Sequence, residues 1–339
     1  EFENKIKNYV GLNYCVAFNS GTSALHGLLL AYGLGQDDEI IIPSFSFIST
    51  ANSVVNIHAK PIFSDIEEIT LGLEPQSILE KITPNTKAIM PVDYAGLSCN
   101  IEKIQQIADE KGILLIEDAA ESLGASINGK MVGSYADSAM FSFCGNKVLT
   151  TGEGGAIVTN SVKVYEKLKL IRSHGRLDSG NYFSDPTESK YVQLGYNWRM
   201  STITASLGLS QLSKLPKIIK MRQQNADYIS SRLSKISEIQ LPHVPSEYEH
   251  IYQMYTIRVK DKQTRNLLQQ HLLTKQIFSK VYFYPIHLTE YYKENFPTED
   301  GSLPITEKIS NQVLTLPMYP NMTNEEKNYL IESILEFFE

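Results

Sequence analysis

Cysteine is scarce and scattered: Cys15, Cys99 and Cys144 are the only three, and no CxxC pair occurs. That excludes a zinc site built on paired cysteines and a disulfide framework, and an odd, low count fits a reducing cytoplasm. Basic residues fall short of acidic ones, 31 Lys+Arg against 38 Asp+Glu, for a net charge of −7. Such a chain is not expected to grip nucleic acid phosphates. No run of about 20 uninterrupted apolar residues occurs, so no transmembrane helix is expected. A signal peptide, internal repeats and low-complexity tracts are missing too. These absences leave a cytoplasmic globular chain with no metal site and with neither nucleic acid nor membrane as partner. It starts at Glu1 inside a helical pattern, as a fragment or processed form would.

What is present is ordinary in bulk. The 339 residues, 42% hydrophobic and 20% charged, suggest about two domains and a sizeable core. Up to about residue 160 short apolar runs alternate with amphipathic stretches. Tyr14–Phe18, Glu39–Ile42, Pro61–Ser64, Ala88–Val92, Ile113–Glu117, Ala139–Phe143 and Ala156–Thr159 read as strands. Ser23–Tyr32, Ser44–Asn56 and Ile101–Lys111 read as helices between them. That rhythm predicts an α/β sheet of parallel strands covered on both faces. Residues 178–190 are polar and turn-rich, hence a surface loop. Helical periodicity then runs from Ser201 to Lys214, is broken at Leu215-Pro216, and resumes from Ile218 to Ile236. The boundary is placed near Pro216, giving domains of 1–220 and 221–339. The second is a smaller α+β unit with strands Tyr252–Val259 and Ser279–Tyr284 and helices Thr264–Gln276 and Asn324–Phe338.

Three stretches carry chemistry, each at a strand end. Asn19-Ser20-Gly21-Thr22-Ser23-Ala24 follows the first strand and opens a helix, which suits a phosphate through free backbone N–H groups and hydroxyls. Alone it reads as well as a capped helix start; it is no Walker loop. Ile113–Asp118 ends in two carboxylates where ligands of α/β sheets bind, though Asp118 could equally cap the helical stretch that follows. Lys147 follows another strand, in a segment otherwise poor in charge and before a glycine-rich turn. A desolvated lysine is an amine nucleophile toward aldehydes. Phosphate cup, strand-end Asp and strand-end Lys together are what pyridoxal phosphate requires.

NSGTSALH, PSFSFISTAN, PVDYAG, IEDAAESLGA, FSFCGNKVLTTGEGGA, GYNWRMS, YPIHL and LPMYP occur in this order along nearly the whole chain. Together they resemble the DegT-type nucleotide-sugar aminotransferases, including perosamine synthase-like and acetamido-sugar enzymes. The resemblance implies the aspartate-aminotransferase fold (fold type I), with a large pyridoxal phosphate-binding domain built on a mostly parallel sheet flanked by helices. It also implies a homodimer with shared active sites. Lys147 would be the Schiff-base lysine and Asp118 the partner of the pyridine nitrogen. Gly21, Thr22 and Ser142 would hold the phosphate, and Phe47, otherwise a core aromatic, would stack on the ring. Asn197 would reach the partner subunit's phosphate, while neighbouring Trp198, the one tryptophan, would pack.

Glu121 stands where many members have Gln, adding a negative charge beside the cofactor. His287 in YPIHL and Tyr182 in the polar loop are placed as substrate contacts by position. Members usually carry a further leading segment with a Gly-Trp-like turn. The implied reaction is ping-pong transfer of an amino group from glutamate, released as 2-oxoglutarate, to a keto-6-deoxy sugar on a nucleotide diphosphate, at C4. A deoxysugar dehydratase of the same family would carry histidine where Lys147 stands, and a non-catalytic regulator would not need the lysine.

Overall fold

Alternating strands and helices in the first half of the chain build one seven-stranded sheet in the computed structural model, which describes residues 1–177, 190–299 and 301–339. The chain runs α1 (Phe2–Val10), β1 (Tyr14–Phe18), α2 (Gly21–Tyr32), β2 (Glu39–Pro43), α3 (Ile48–Val55), β3 (Lys60–Ser64), α4 (Pro75–Lys81), β4 (Thr86–Ile89), α5 (Ile101–Lys111) and β5 (Leu114–Asp118). A short hairpin, β6 (Ser126–Ile127) with β7 (Lys130–Met131), leads to β8 (Ser138–Ser142), β9 (Gly155–Thr159) and α6 (Val162–Arg172). Then come α7 (Thr202–Leu233), β10 (Tyr248–Glu249), β11 (Tyr255–Arg258), α8 (Lys262–Thr274), α9 (Glu290–Asn295), α10 (Pro304–Gln312), β12 (Val313–Leu316) and α11 (Asn324–Phe338).

The large sheet has the order β1-β9-β8-β5-β4-β2-β3. Its pairs from β3 across to β8 are parallel, and β2 is buried at every position, as expected of a strand covered on both faces. β9 is the exception, antiparallel to both β1 and β8. A parallel neighbour needs a crossover, usually a helix. Residues 143–154 supply a glycine-rich loop instead, so the chain turns back. That loop carries Lys147 and sets it at the carboxyl end of β8, beside the carboxyl end of β5.

Two expectations fail. Pro216 does not break the helix: α7 runs continuously through it. A proline there costs about 3 kcal/mol. Leu212, Leu215 and Ile219 before and after it are buried against the sheet's core, and each such side chain contributes about 1.5–3 kcal/mol. Packing wins. The far end of α7 buries Ala226, Ile229 and Leu233 in a separate core with β11, β12, α8 and α11. The expected strand at Ser279–Tyr284 is absent as well, and only Lys280 bridges to Thr315. Its aromatic residues serve another cluster. Phe283 lies 6.2 Å from Phe45 and 6.0 Å from Tyr94, and the Tyr94 hydroxyl donates to the Tyr282 carbonyl at 2.7 Å.

Candidate active site

The first turn of α2 is pressed onto the end of β8. A Cβ on Gly21 would stand 3.1 Å from the Ser142 Cβ and 3.2 Å from its Oγ. Gly155 permits this approach: a Cβ there would lie 2.6 Å from the Ser20 carbonyl and 2.7 Å from the Gly21 amide nitrogen. Ser20, extended at φ −157°, caps the helix by accepting from the Ser23 N–H at 3.1 Å. The result is a cradle made of a helix N-terminus, the Ser142 hydroxyl and the exposed Thr22. Its dipole and orphan N–H groups favour an anion.

Asp118 ends β5 at 3% exposure. Its Oδ2 accepts from Thr50 Oγ1 at 2.8 Å and its Oδ1 from the Ala120 N–H at 3.3 Å. Burial pushes its carboxyl up to about 6, against those two hydrogen bonds and the attraction of Lys147. Glu117, its neighbour on the other face of the strand, accepts from the Gly133 N–H at 2.9 Å and lies in the buried set with Asp93. Burial and the Asp93 charge push the Glu117 carboxyl well up. Period-two alternation thus gives the two carboxylates separate surroundings.

Lys147 reaches across to Glu121, with Nζ donating to Oε1 at 3.0 Å. The other oxygen of Glu121 accepts from the Ala95 N–H at 2.9 Å. Ala95 holds the left-handed conformation, φ 60°, in the turn of PVDYAG. The glutamate therefore has one oxygen fixed by the backbone and one turned to the amine.

The structure brings Gly21, Ser142, Asp118, Glu121 and Lys147 to the carboxyl ends of neighbouring strands. Phe47, at the start of α3, is 59% exposed, with its ring 6.5 Å from Phe283. Asn197 is exposed and bridges to Ser173. Trp198 beside it packs, stacked on Tyr196 at 3.8 Å with an interplanar angle of 1°. His287 is fully buried; its Nδ1 lies 2.6 Å from Ser44 Oγ and its Nε2 3.4 Å from Glu307. It holds a packing position linking β2's end to α10. Tyr182 lies outside the described residues. Sequence reasoning misses Thr50 and Ala95, which orient the two carboxylates. Both sit in motifs singled out above, yet their bonds span 68 and 26 residues and leave no local pattern. Among the described residues no group of three or more His, Cys, Asp or Glu could hold a metal ion, and no helix is long and apolar enough to cross a membrane.

The model of the DegT/DnrJ/EryC1/StrS aminotransferase family matches residues 1–335. GDP-perosamine synthase of Escherichia coli O157:H7 is 34% identical over 338 residues, covering 100% of this chain and 89% of that protein. PseC of Helicobacter pylori, an aminotransferase involved in the biosynthesis of pseudoaminic acid, superposes with a TM-score of 0.93 at 30% identity, over 99% of this chain and 90% of its own. The PLP-form of Spr1654 from Streptococcus pneumoniae superposes with a TM-score of 0.92 at 28% identity, over 99% and 90%.

Proposed function

The chain belongs to the DegT/DnrJ/EryC1/StrS aminotransferase family, and from that premise we propose that it is a cytoplasmic, pyridoxal phosphate-dependent enzyme moving an amino group from glutamate to C4 of a nucleotide-linked keto-6-deoxy sugar. The residues fit the cofactor. The cradle between Gly21 and Ser142 has no Cβ to fill it and favours the phosphate. Asp118 offers a buried carboxylate to a cationic ring nitrogen, Phe47 an exposed ring face, and Lys147 the amine that carries the group. Bound there, pyridoxal phosphate supplies an electron sink and a carrier for the nitrogen. The domains follow the same reading, with residues 1–220 holding the cofactor and 221–339 forming the smaller unit.

The single observation that carries the reading is the Lys147–Glu121 contact of 3.0 Å at the mouth of the strand carrying Asp118. Lys147 Nζ is the group placed to take a proton from the donor's α-carbon and return it. Glu121 keeps the amine in position through one oxygen while its other oxygen stays on the Ala95 N–H. Asp118 keeps a proton on its partner nitrogen because a charge-assisted hydrogen bond in a dry site outweighs one to water. Glutamate enters and 2-oxoglutarate leaves before the keto sugar binds, in ping-pong order.

A homodimer is part of the proposal. Leu194 at 80% and Ile203 at 84% exposure, with Tyr191 and Val192, flank Asn197, an apolar surface that a second copy would cover while Asn197 reaches the partner's phosphate. The test is transfer of nitrogen-15 from labelled glutamate to UDP-, GDP- and dTDP-linked keto-6-deoxy sugars, with both 3-keto and 4-keto members in the panel, followed by mass spectrometry and NMR of the product. Label at C4 of one sugar is expected. Label at C3, or in no sugar of the panel, would overturn the substrate assignment.

A further inference from the structure

One side chain from the C-terminal half of the chain brackets Lys147. Gln253, 5% exposed, accepts from the Val148 N–H through Oε1 at 2.8 Å and donates through Nε2 to the Asn146 carbonyl at 2.8 Å. The lysine's own N–H is bonded within the loop, to the Cys144 carbonyl at 3.0 Å. The backbone is therefore fixed on both sides of the residue, although the loop belongs to no helix or strand. The next residue, Met254, bears on the far end of the lysine. Its N–H donates to the Ala95 carbonyl at 3.1 Å, the Ala95 N–H donates to Glu121, and Glu121 receives Nζ. Residues 253 and 254 thus set both the backbone of Lys147 and the carboxylate that takes its amine.

The segment is itself anchored. Arg222, buried on α7, donates to the carbonyls of Tyr252 at 2.9 Å, Gln253 at 3.3 Å and Met318 at 3.2 Å. Gly96 leaves room for it, since a Cβ there would stand 2.8 Å from the Gln253 nitrogen. We propose that Gln253 is a positioning residue for Lys147: its amide clamps the peptide bonds on either side of the lysine and, through Arg222, makes delivery of Nζ depend on seating of the C-terminal unit. This rests on Lys147 being the reacting amine.

Two substitutions separate the bonds. Gln253→Met keeps the length of the side chain and removes both; Gln253→Glu keeps the acceptor for Val148 and sets a carboxylate against the Asn146 carbonyl. In the cofactor-free protein, amide exchange at Val148 should quicken about tenfold in Gln253→Met, the loss of one buried hydrogen bond, with β8 and β9 unchanged. In the loaded enzyme kcat should fall about tenfold while KM for glutamate moves less than about threefold, because only the reacting geometry is disturbed. Gln253→Glu should leave Val148 protected and still lower kcat, so the test survives if Gln253→Met does not fold. Faster exchange with unchanged kcat, or an unchanged Val148 in Gln253→Met, overturns the proposal. A cofactor adduct on a different lysine in the wild-type enzyme refutes the reading of Lys147 instead, and leaves the exchange result as a measure of the clamp alone.

Discussion

Replacing Asp118 with asparagine should stabilise the cofactor-free protein while disabling the loaded enzyme. The carboxyl is raised from 3.8 to about 6 by burial. At about 1.4 kcal/mol per pH unit, that rise makes the ionised form about 3 kcal/mol destabilising in the folded, cofactor-free chain. The sign follows from proton binding. Between about pH 4 and 6 the folded state holds a proton that the unfolded state has lost, so stability falls as pH rises through that window. An asparagine at this position has no proton to lose there, and its amide oxygen can still accept from Thr50. The two cofactor-free proteins should therefore melt alike near pH 4 and diverge by about pH 7.5, with Asp118→Asn the more stable by up to about 3 kcal/mol. Taking the difference between the variants removes contributions common to both, such as that of Asp93, which burial also raises. With cofactor bound the order should reverse. On the proposed assignment a cationic ring nitrogen would turn the penalty into a charge-assisted hydrogen bond of about 1.5–3 kcal/mol, so kcat of Asp118→Asn should drop about 10- to 100-fold. Thermal unfolding of cofactor-free protein across about pH 4–7.5, beside steady-state kinetics, reads both halves. Parallel melting curves at every pH, or activity within about threefold of wild type, would refute the reasoning and leave Asp118 as a structural residue of the turn after β5, where no helix follows for it to cap.

Gly155→Ala should lower stability by about 1–3 kcal/mol, since its Cβ meets backbone that cannot yield, and should weaken cofactor retention in equilibrium dialysis. Gly35→Ala, which meets only the Ile57 carbonyl at 3.7 Å, serves as control. Glu121→Gln should keep the Ala95 contact but lose the ion pair with Lys147, lowering kcat about three- to tenfold; full activity would show the pair to be incidental. Mixing Lys147→Ala with Asn197→Asp should restore activity if Asn197 acts across the dimer, because each mixed dimer holds one site with both lesions and one with neither. No recovery, with subunit exchange confirmed, would leave Asn197 as an intrasubunit turn residue.

Strand positions are legible because their signal is local. The run read as Ile113–Glu117 is β5 at Leu114–Asp118, and Ile101–Lys111 is α5 at both ends. The segment Ser279–Tyr284 misleads because aromatic-rich alternation suits a strand, whereas its rings pack on Phe45 and Tyr94 and its carbonyl takes the Tyr94 hydroxyl. Pro216 misleads because breaking propensity is a local term and burial along α7 is not. At the site, Gly21, Asp118, Ser142 and Lys147 can be read from motif and strand-end position together. The Thr50 bond to Asp118, the Ala95 bond to Glu121 and the Gln253 clamp are contacts between distant segments that no spacing encodes. His287 reads as a loop residue open to substrate, but the structure encloses it between Ser44 and Glu307.

The central claim is that Lys147 carries the cofactor. Purified enzyme loaded with pyridoxal phosphate, reduced with borohydride and digested, should yield one peptide with the cofactor fixed to Lys147, and Lys147→Ala should yield none while retaining the fold and losing turnover. An adduct on any other lysine, or turnover persisting in Lys147→Ala, would contradict it.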